Sequence, residues 1–182
     1  MSVPEFNLSI SIFAESIPEG LKLASLAITS ALMLSHSVRR NIKRLLINLN
    51  AGQKLLVIEV QPEKLRYYAP DIGTSLGVLK RALKDGYFHG VKVYTESISG
   101  KVETHTDIVI NGKLDYNTIE YLITTCCKGL CSIKIIPKND NTIMVLDRGR
   151  MLVWWILGPL LQLIEDSCVA DKHASHRHTY ES

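Results

Sequence analysis

The segment Leu34-Ser35-His36-Ser37-Val38-Arg39-Arg40 sets an imidazole and two guanidinium groups close together. A histidine of ordinary pKa exchanges protons near neutral pH, and arginines grip phosphate bidentately. The same residues would complement the negative end of a helix dipole. A binding reading and a structural reading therefore both stand. Lys43 and Arg44 extend the basic run. Phosphate contacts act locally, so this cluster, rather than the formal charge of +3, would make an RNA site. Asp71, after Pro70, is suited by type to acid–base work and equally to capping a helix. Leu157-Gly158-Pro159 offers another chemistry. Gly158 lacks a Cβ, so exposed backbone there could hold a flat adenine closely, although any strand-to-helix connection could use the same tripeptide.

Other chemistries are poorly served. Cys126, Cys127, Cys131 and Cys168 lack the two Cys-x-x-Cys pairs of a zinc site. They are expected to be buried free thiols in a reducing compartment. His173, His176 and His178 lie with Asp171 in a polar tail that offers no preformed second shell, so no metal is expected. There is no Gly-x-Gly-x-x-Gly, no P-loop and no Gly-x-Ser-x-Gly elbow. Dinucleotide or nucleoside triphosphate binding in a familiar form is thus unsupported.

The elements that must position these groups follow from pattern. With 182 residues, 46% hydrophobic and 21% charged, the chain reads as one globular domain over residues 1–170 and a polar, flexible tail over 171–182. No basic-then-apolar leader opens it. The apolar stretch 151–164 is short for a bilayer span and is interrupted by Gly158-Pro159. A cytoplasmic protein without a membrane partner is the expectation. Phe6, Leu8, Ile10 and Ile12 alternate with polar residues as in a strand with one buried face. Pro18-Glu19-Gly20 opens a helix running to about His36. Strands are predicted over 43–49 and 55–60, then a helix from Asp71 to Gly86, a strand over 90–94 and a loop or hairpin over 97–106. A short strand, 108–110, ends at the Asn111-Gly112 turn. Asp115 or Asn117 caps a helix to about Lys128. Strands follow over 133–136 and 142–146. Residues 152–157 read as a central parallel strand, and a last helix starts at Leu160. Alternating strands and helices predict an α/β fold with a mostly parallel sheet and helices on both faces. Ligands in such folds sit beyond the carboxyl ends of the strands. The informative loops are then 111–112, 147–150 and 157–159.

Three runs carry a resemblance: ALMLSHSVRR, LRYYAPDIGTSLGVLKRAL and GVKVY. Over about residues 19–168 the chain resembles the archaeal tRNA (pseudouridine-54) N1-methyltransferases, a family of the SPOUT superfamily. The resemblance implies a C-terminal trefoil knot, a homodimer, tRNA as partner and S-adenosylmethionine as cofactor. It implies methyl transfer to N1 of a pseudouridine. By position it places cofactor loops near Ile110 to Gly112, near Leu146 to Gly149 with Asp147, and at Leu157, Gly158 and Pro159, with Cys168 beside them. Arg39, Arg40, Lys43 and Arg44 become the RNA-binding group, and Asp71 and His36 the candidate bases. The departures are specific. The family's Arg-Leu-Asp is Gly20-Leu21-Lys22 here, its Pro-Asp-Glu-Arg is Pro70-Asp71-Ile72-Gly73, and its Gly-Asp-His-x-Gly is reduced to Asp147-Arg148-Gly149. They support an alternative: a knotted dimer that binds RNA or cofactor without turnover.

Overall fold

The computed structural model describes residues 3–34, 37–66, 68–95 and 108–177, with side chains to residue 170. Strand β1, Glu5–Ala14, buries Phe6, Leu8, Ile10 and Ile12 and leaves Asn7, Ser9 and Ser11 half-buried, as the alternation dictates. Ser16 caps helix α1, Ile17–Leu32, by accepting the Glu19 N–H. Strands β2, Ile42–Ala51, and β3, Lys54–Val60, form a hairpin whose turn uses Gly52 at φ 62°. Asp71 caps helix α2, Ile72–Asp85, and the left-handed Gly86 ends it. Next come β4, Tyr87–Phe88, β5, Val91–Thr95, β6, Ile108–Asn111, and β7, Lys113–Leu114. Asp115 caps α3, Tyr116–Cys126. Strands β8, Leu130–Ile136, β9, Thr142–Val145, and β10, Gly149–Leu152, precede α4, Val153–Arg177. The expected loop over 97–106 and His36 lie outside the described residues.

The main sheet has the order β4-β5-β3-β2-β1-β8-β6, and a small sheet the order β10-β9-β7. The fold is α/β, but the main sheet is mixed rather than mostly parallel. Strands β2, β1, β8 and β6 run parallel, while β3, β5 and β4 are joined by antiparallel pairings. The reason is local: the two residues between β2 and β3 allow only a hairpin, whereas parallel neighbours need a long crossover.

Helices on both faces were the second expectation, and this too is corrected. Helix α1 packs on α2 and α4, and α4 packs on α3. Helices on opposite faces are held apart by the sheet, so all four share one face. Handedness gives the same result. The crossovers β1-α1-β2 and β6-α3-β8 step across the sheet in the same direction, and right-handed crossovers then place both helices on the same side. The core lies between this layer and Phe6, Ile10, Leu45, Ile47, Ile58 and Ile135. No helix among the described residues covers the other face. Asn7, Ser9, Ser11, Arg44, Asn48, Glu59 and Lys134 stand on it, and Asn48 donates to Ser9 Oγ at 3.1 Å.

Two further expectations fail for tertiary reasons. Residues 152–157 are not a central strand. Only Leu152 is extended, and Val153 begins a helix that runs through Pro159 and beyond Asp171 to Arg177. A continuous apolar run fits a buried helix turn as well as a strand. The cysteines are not free thiols: Cys126 is bonded to Cys131 and Cys127 to Cys168, tying the end of α3 to β8 and to α4. By length and composition Val153–Ala170 could cross a membrane, yet 39% of that window is buried inside the fold. Glu165 within it pairs with Arg39.

Candidate functional site

The parallel strands bring two places into view, the carboxyl edge where α/β folds bind ligands and the amino edge where the basic run lies. At the carboxyl edge β1 outruns its neighbour. Its pairing with β8 ends at Ile10 and Ile135, but β1 continues to Ala14. Peptide groups of β1 beyond Ile10 therefore face a crevice. Asn141 fills it. Its Oδ1 accepts the Phe13 N–H at 2.8 Å, and its Nδ2 donates to the Phe13 carbonyl at 2.8 Å. The side-chain amide thus reproduces the two bonds a neighbouring strand would make. Asn141 is 6% exposed and left-handed at φ 59°, a conformation that asparagine tolerates better than most residues. Its own N–H bonds Lys138, closing the turn after β8, and its carbonyl accepts the first N–H of α4.

Beside it, Lys138, Asn139, Asp140 and Arg150 rim an open depression of about 460 Å³. Asp140 accepts from the Thr142 hydroxyl at 2.5 Å and from Arg150 at 2.5 Å. The Thr142 hydroxyl above all holds its carboxyl below the ordinary 3.8; desolvation opposes it, and the Thr142 amide and the Arg150 charge add to the lowering. All four rim residues carry polar or charged ends and the depression is open, whereas small-molecule sites enclose their ligand between apolar walls.

The residues expected to hold a cofactor are not brought together. Ile110 points into the core. Gly112 donates to Ile136 at 2.8 Å and accepts from Met144 at 2.9 Å, so its backbone joins the two sheets and offers nothing to a ligand. Asp147 and Gly149 lie at the tip of the β9–β10 hairpin, whose base is at Thr142 and Leu152. Three residues of strand put tip and base ~10 Å apart. Leu157, Gly158 and Pro159 are not a turn but an interior stretch of α4. A Cβ at Gly158 would lie 3.1 Å from the Ser30 carbonyl of α1, so the glycine serves close approach of two helices. Cys168 is buried, bonded to Cys127 just ahead of β8. Cys168 therefore sits at the amino end of β8 and Gly112 at its carboxyl end, ~20 Å away along seven residues of strand. Asp71 spends its carboxylate on the Thr74 N–H at 2.7 Å, which lowers its pKa and weakens it as a base.

At the amino edge the basic run is split. Arg39 is buried, not presented to phosphate. Its Nη1 is ion-paired with Glu165, which also accepts from Asn41, and its Nε has no acceptor. Lys43 is paired with Glu5 at 2.9 Å, whose hydrogen bond and charge raise its pKa. Arg44 is paired with Glu59 at 3.2 Å on the open sheet face. Within the run Arg39, Arg40, Lys43 and Arg44, Arg40 alone has no ion pair among the described residues, and it is exposed. Around it the fold gathers cations that the sequence reading missed. Val60 pairs with Leu45 and Val91, and Arg66 donates its N–H to His89. Lys64, Arg66 and Lys84, all exposed, therefore lie at the same edge as Arg40. Only the register of β2, β3 and β5 discloses this, because the four residues are scattered along the chain. No protein-family model matches the chain, and no curated protein matches it.

Proposed function

We propose that this chain is a SPOUT-like, tRNA-binding homodimer that does not turn over S-adenosylmethionine. The observation that carries the reading is Asn141, which closes the crevice beyond β1 and β8 with two hydrogen bonds to Phe13. A ligand entering there must first displace that amide and orphan two peptide groups, at a cost of ~1–3 kcal/mol each. The capped Asp71, the helical Gly158 and the bonded Cys168 support the same reading, since none is available for methyl transfer to a pseudouridine. The trefoil knot belongs to the resemblance and to this proposal. Arg40, Lys64, Arg66 and Lys84 would supply the phosphate contacts, which position RNA without reading its sequence. Disulfides persist in oxidising compartments and in the cells of hyperthermophilic archaea, and the archaeal resemblance makes the second setting the natural one.

Two titrations of the full chain test this. Calorimetry with S-adenosylmethionine is expected to give no binding at millimolar cofactor. Filter binding to bulk tRNA is expected to give an affinity that falls steeply with salt. Micromolar cofactor binding, or methyl transfer to tRNA, would overturn the non-catalytic reading. Absence of salt-dependent tRNA binding would overturn the RNA reading.

A further inference from the structure

We propose that the β4–β5 hairpin is a stacking platform for an unpaired RNA base: the exposed ring of Tyr87 takes the base, while Lys64, Arg66 and Lys84 take the neighbouring phosphates. The inference rests on the RNA reading proposed above and narrows its ligand to single-stranded or looped-out nucleotides.

The hairpin is firmly seated. His89 and Gly90 join β4 to β5 at φ 43° and 90°, the positive values that let a two-residue turn follow the twist of its strands. The turn is pressed against residues 61–66. A Cβ at Gly90 would lie 2.7 Å from the Lys64 carbonyl carbon. Gln61 donates its N–H to the Gly90 carbonyl at 2.9 Å, and Arg66 donates its own to the His89 carbonyl at 3.3 Å. The backbone that carries Lys64 and Arg66 is thereby fixed beside the backbone that carries Tyr87.

Tyr87 presents a ring that is already held in place. Its neighbour Phe88 packs on the core, so the alternation of the strand turns Tyr87 to the uncovered face, where it is 52% exposed. Its hydroxyl accepts the Gly90 N–H at 3.0 Å. A side chain anchored at its far end gives up little freedom when a partner stacks on it.

The charge around the ring suits a nucleotide. Lys64, Arg66 and Lys84 are exposed, and so is Lys92, the cross-strand partner of Tyr87. Against these four cations stand Glu63 and Asp85, and Asp85 is taken by Arg81 at 2.5 Å. Single strands are bound by this combination, an aromatic face for the base and positive charge for the backbone. A duplex keeps its base faces stacked inside, so it could use the cations alone. Tyr116 and Tyr121 are also exposed, but they stand on α3, which packs on β8 and α4 and not on this hairpin.

Anisotropy titrations of the full chain test this, with a labelled single-stranded RNA and with the same strand annealed to its complement. The single strand is expected to bind roughly tenfold more tightly. Tyr87→Ala is expected to weaken single-strand binding roughly five- to hundredfold, with duplex binding, salt slope and circular dichroism unchanged. Tyr87→Phe keeps the ring and is expected to stay within about twofold of the parent, as is Tyr121→Ala. Arg66→Ala is expected to lower the salt slope for the single strand by about 0.7. Tyr87→Trp places an indole at the site that RNA is expected to quench, a change absent from the parent, whose Trp154 and Trp155 lie in α4. No salt-dependent binding to either RNA would overturn the RNA reading and the platform together. Five results would each overturn the platform alone: a duplex bound as tightly as the single strand, Tyr87→Ala as tight as the parent, Tyr87→Phe as weak as Tyr87→Ala, an unchanged slope in Arg66→Ala, or an unquenched indole.

Discussion

Replacing Asn141 by alanine tests the closure of the crevice directly. The substitution removes two hydrogen bonds of 2.8 Å each and leaves the Phe13 N–H and carbonyl without partners. Phe13 is only half-buried, so the lower half of the usual range applies, roughly 2–4 kcal/mol for the pair. Asn141 is also left-handed at φ 59°, which alanine tolerates at a further cost of about 1 kcal/mol. The expected loss is therefore about 3–5 kcal/mol, a large part of a domain's stability. Urea unfolding followed by Trp154 and Trp155 fluorescence measures it, since both tryptophans lie in the first turn of α4, which begins at the Asn141 carbonyl. Asn141→Gly relieves the backbone cost but not the lost amide, and is expected to recover only about 1 kcal/mol. Asn141→Ala within about 0.5 kcal/mol of the parent, the range of an ordinary surface change, would refute the account of the crevice.

Other predictions rest on separate parts of the fold. Reducing Cys127–Cys168, which spans 41 residues, is expected to cost about 4 kcal/mol by loop entropy, read as a fall in urea midpoint for Cys127→Ser with Cys168→Ser. Glu165→Ala strands the buried Arg39 guanidinium and is expected to cost about 3–5 kcal/mol. By contrast, Arg40→Ala should leave stability alone and lower the slope of log binding constant against log salt for tRNA by about one unit. Asp71, Asp115 and Asp140 all have carboxyls held below the ordinary 3.8 by hydrogen bonds from Thr74, Thr118 and Thr142. Their folded-state pKa is depressed, so they add stability above pH 3.8 that is lost as pH falls through the folded value. Acid titration of unfolding should show that loss, and the matching asparagine variants should flatten it. Gly158→Val should force α1 and α4 apart at the Ser30 carbonyl and cost about 1–3 kcal/mol by overpacking, with an unchanged response to S-adenosylmethionine.

Much of the local structure was written in single residues. The alternation Phe6, Leu8, Ile10, Ile12 specified both the strand and its buried face. Asp71 with Gly86, and Asp115 before α3, marked helix ends because a cap is a contact between neighbours in the chain. The α/β class followed from their alternation. The site did not follow in that way. Whether residues 153–157 join a sheet or a helix depends on partners far away, and the Ser30 carbonyl beside Gly158 is one that no local pattern discloses. Spacing suggested free cysteines, since Cys168 meets Cys127 only after α4 has folded back on α3. Arg39 and Arg40 are adjacent and of one type, yet one is buried against Glu165 and the other exposed. The sequence by itself determined which residues could cap, pair or carry charge, because those properties belong to side chains and near neighbours. The tertiary structure alone decided that Asn141 closes β1, that the helices share one face and that four scattered cations lie along one sheet edge, because each depends on how segments distant in the chain are placed.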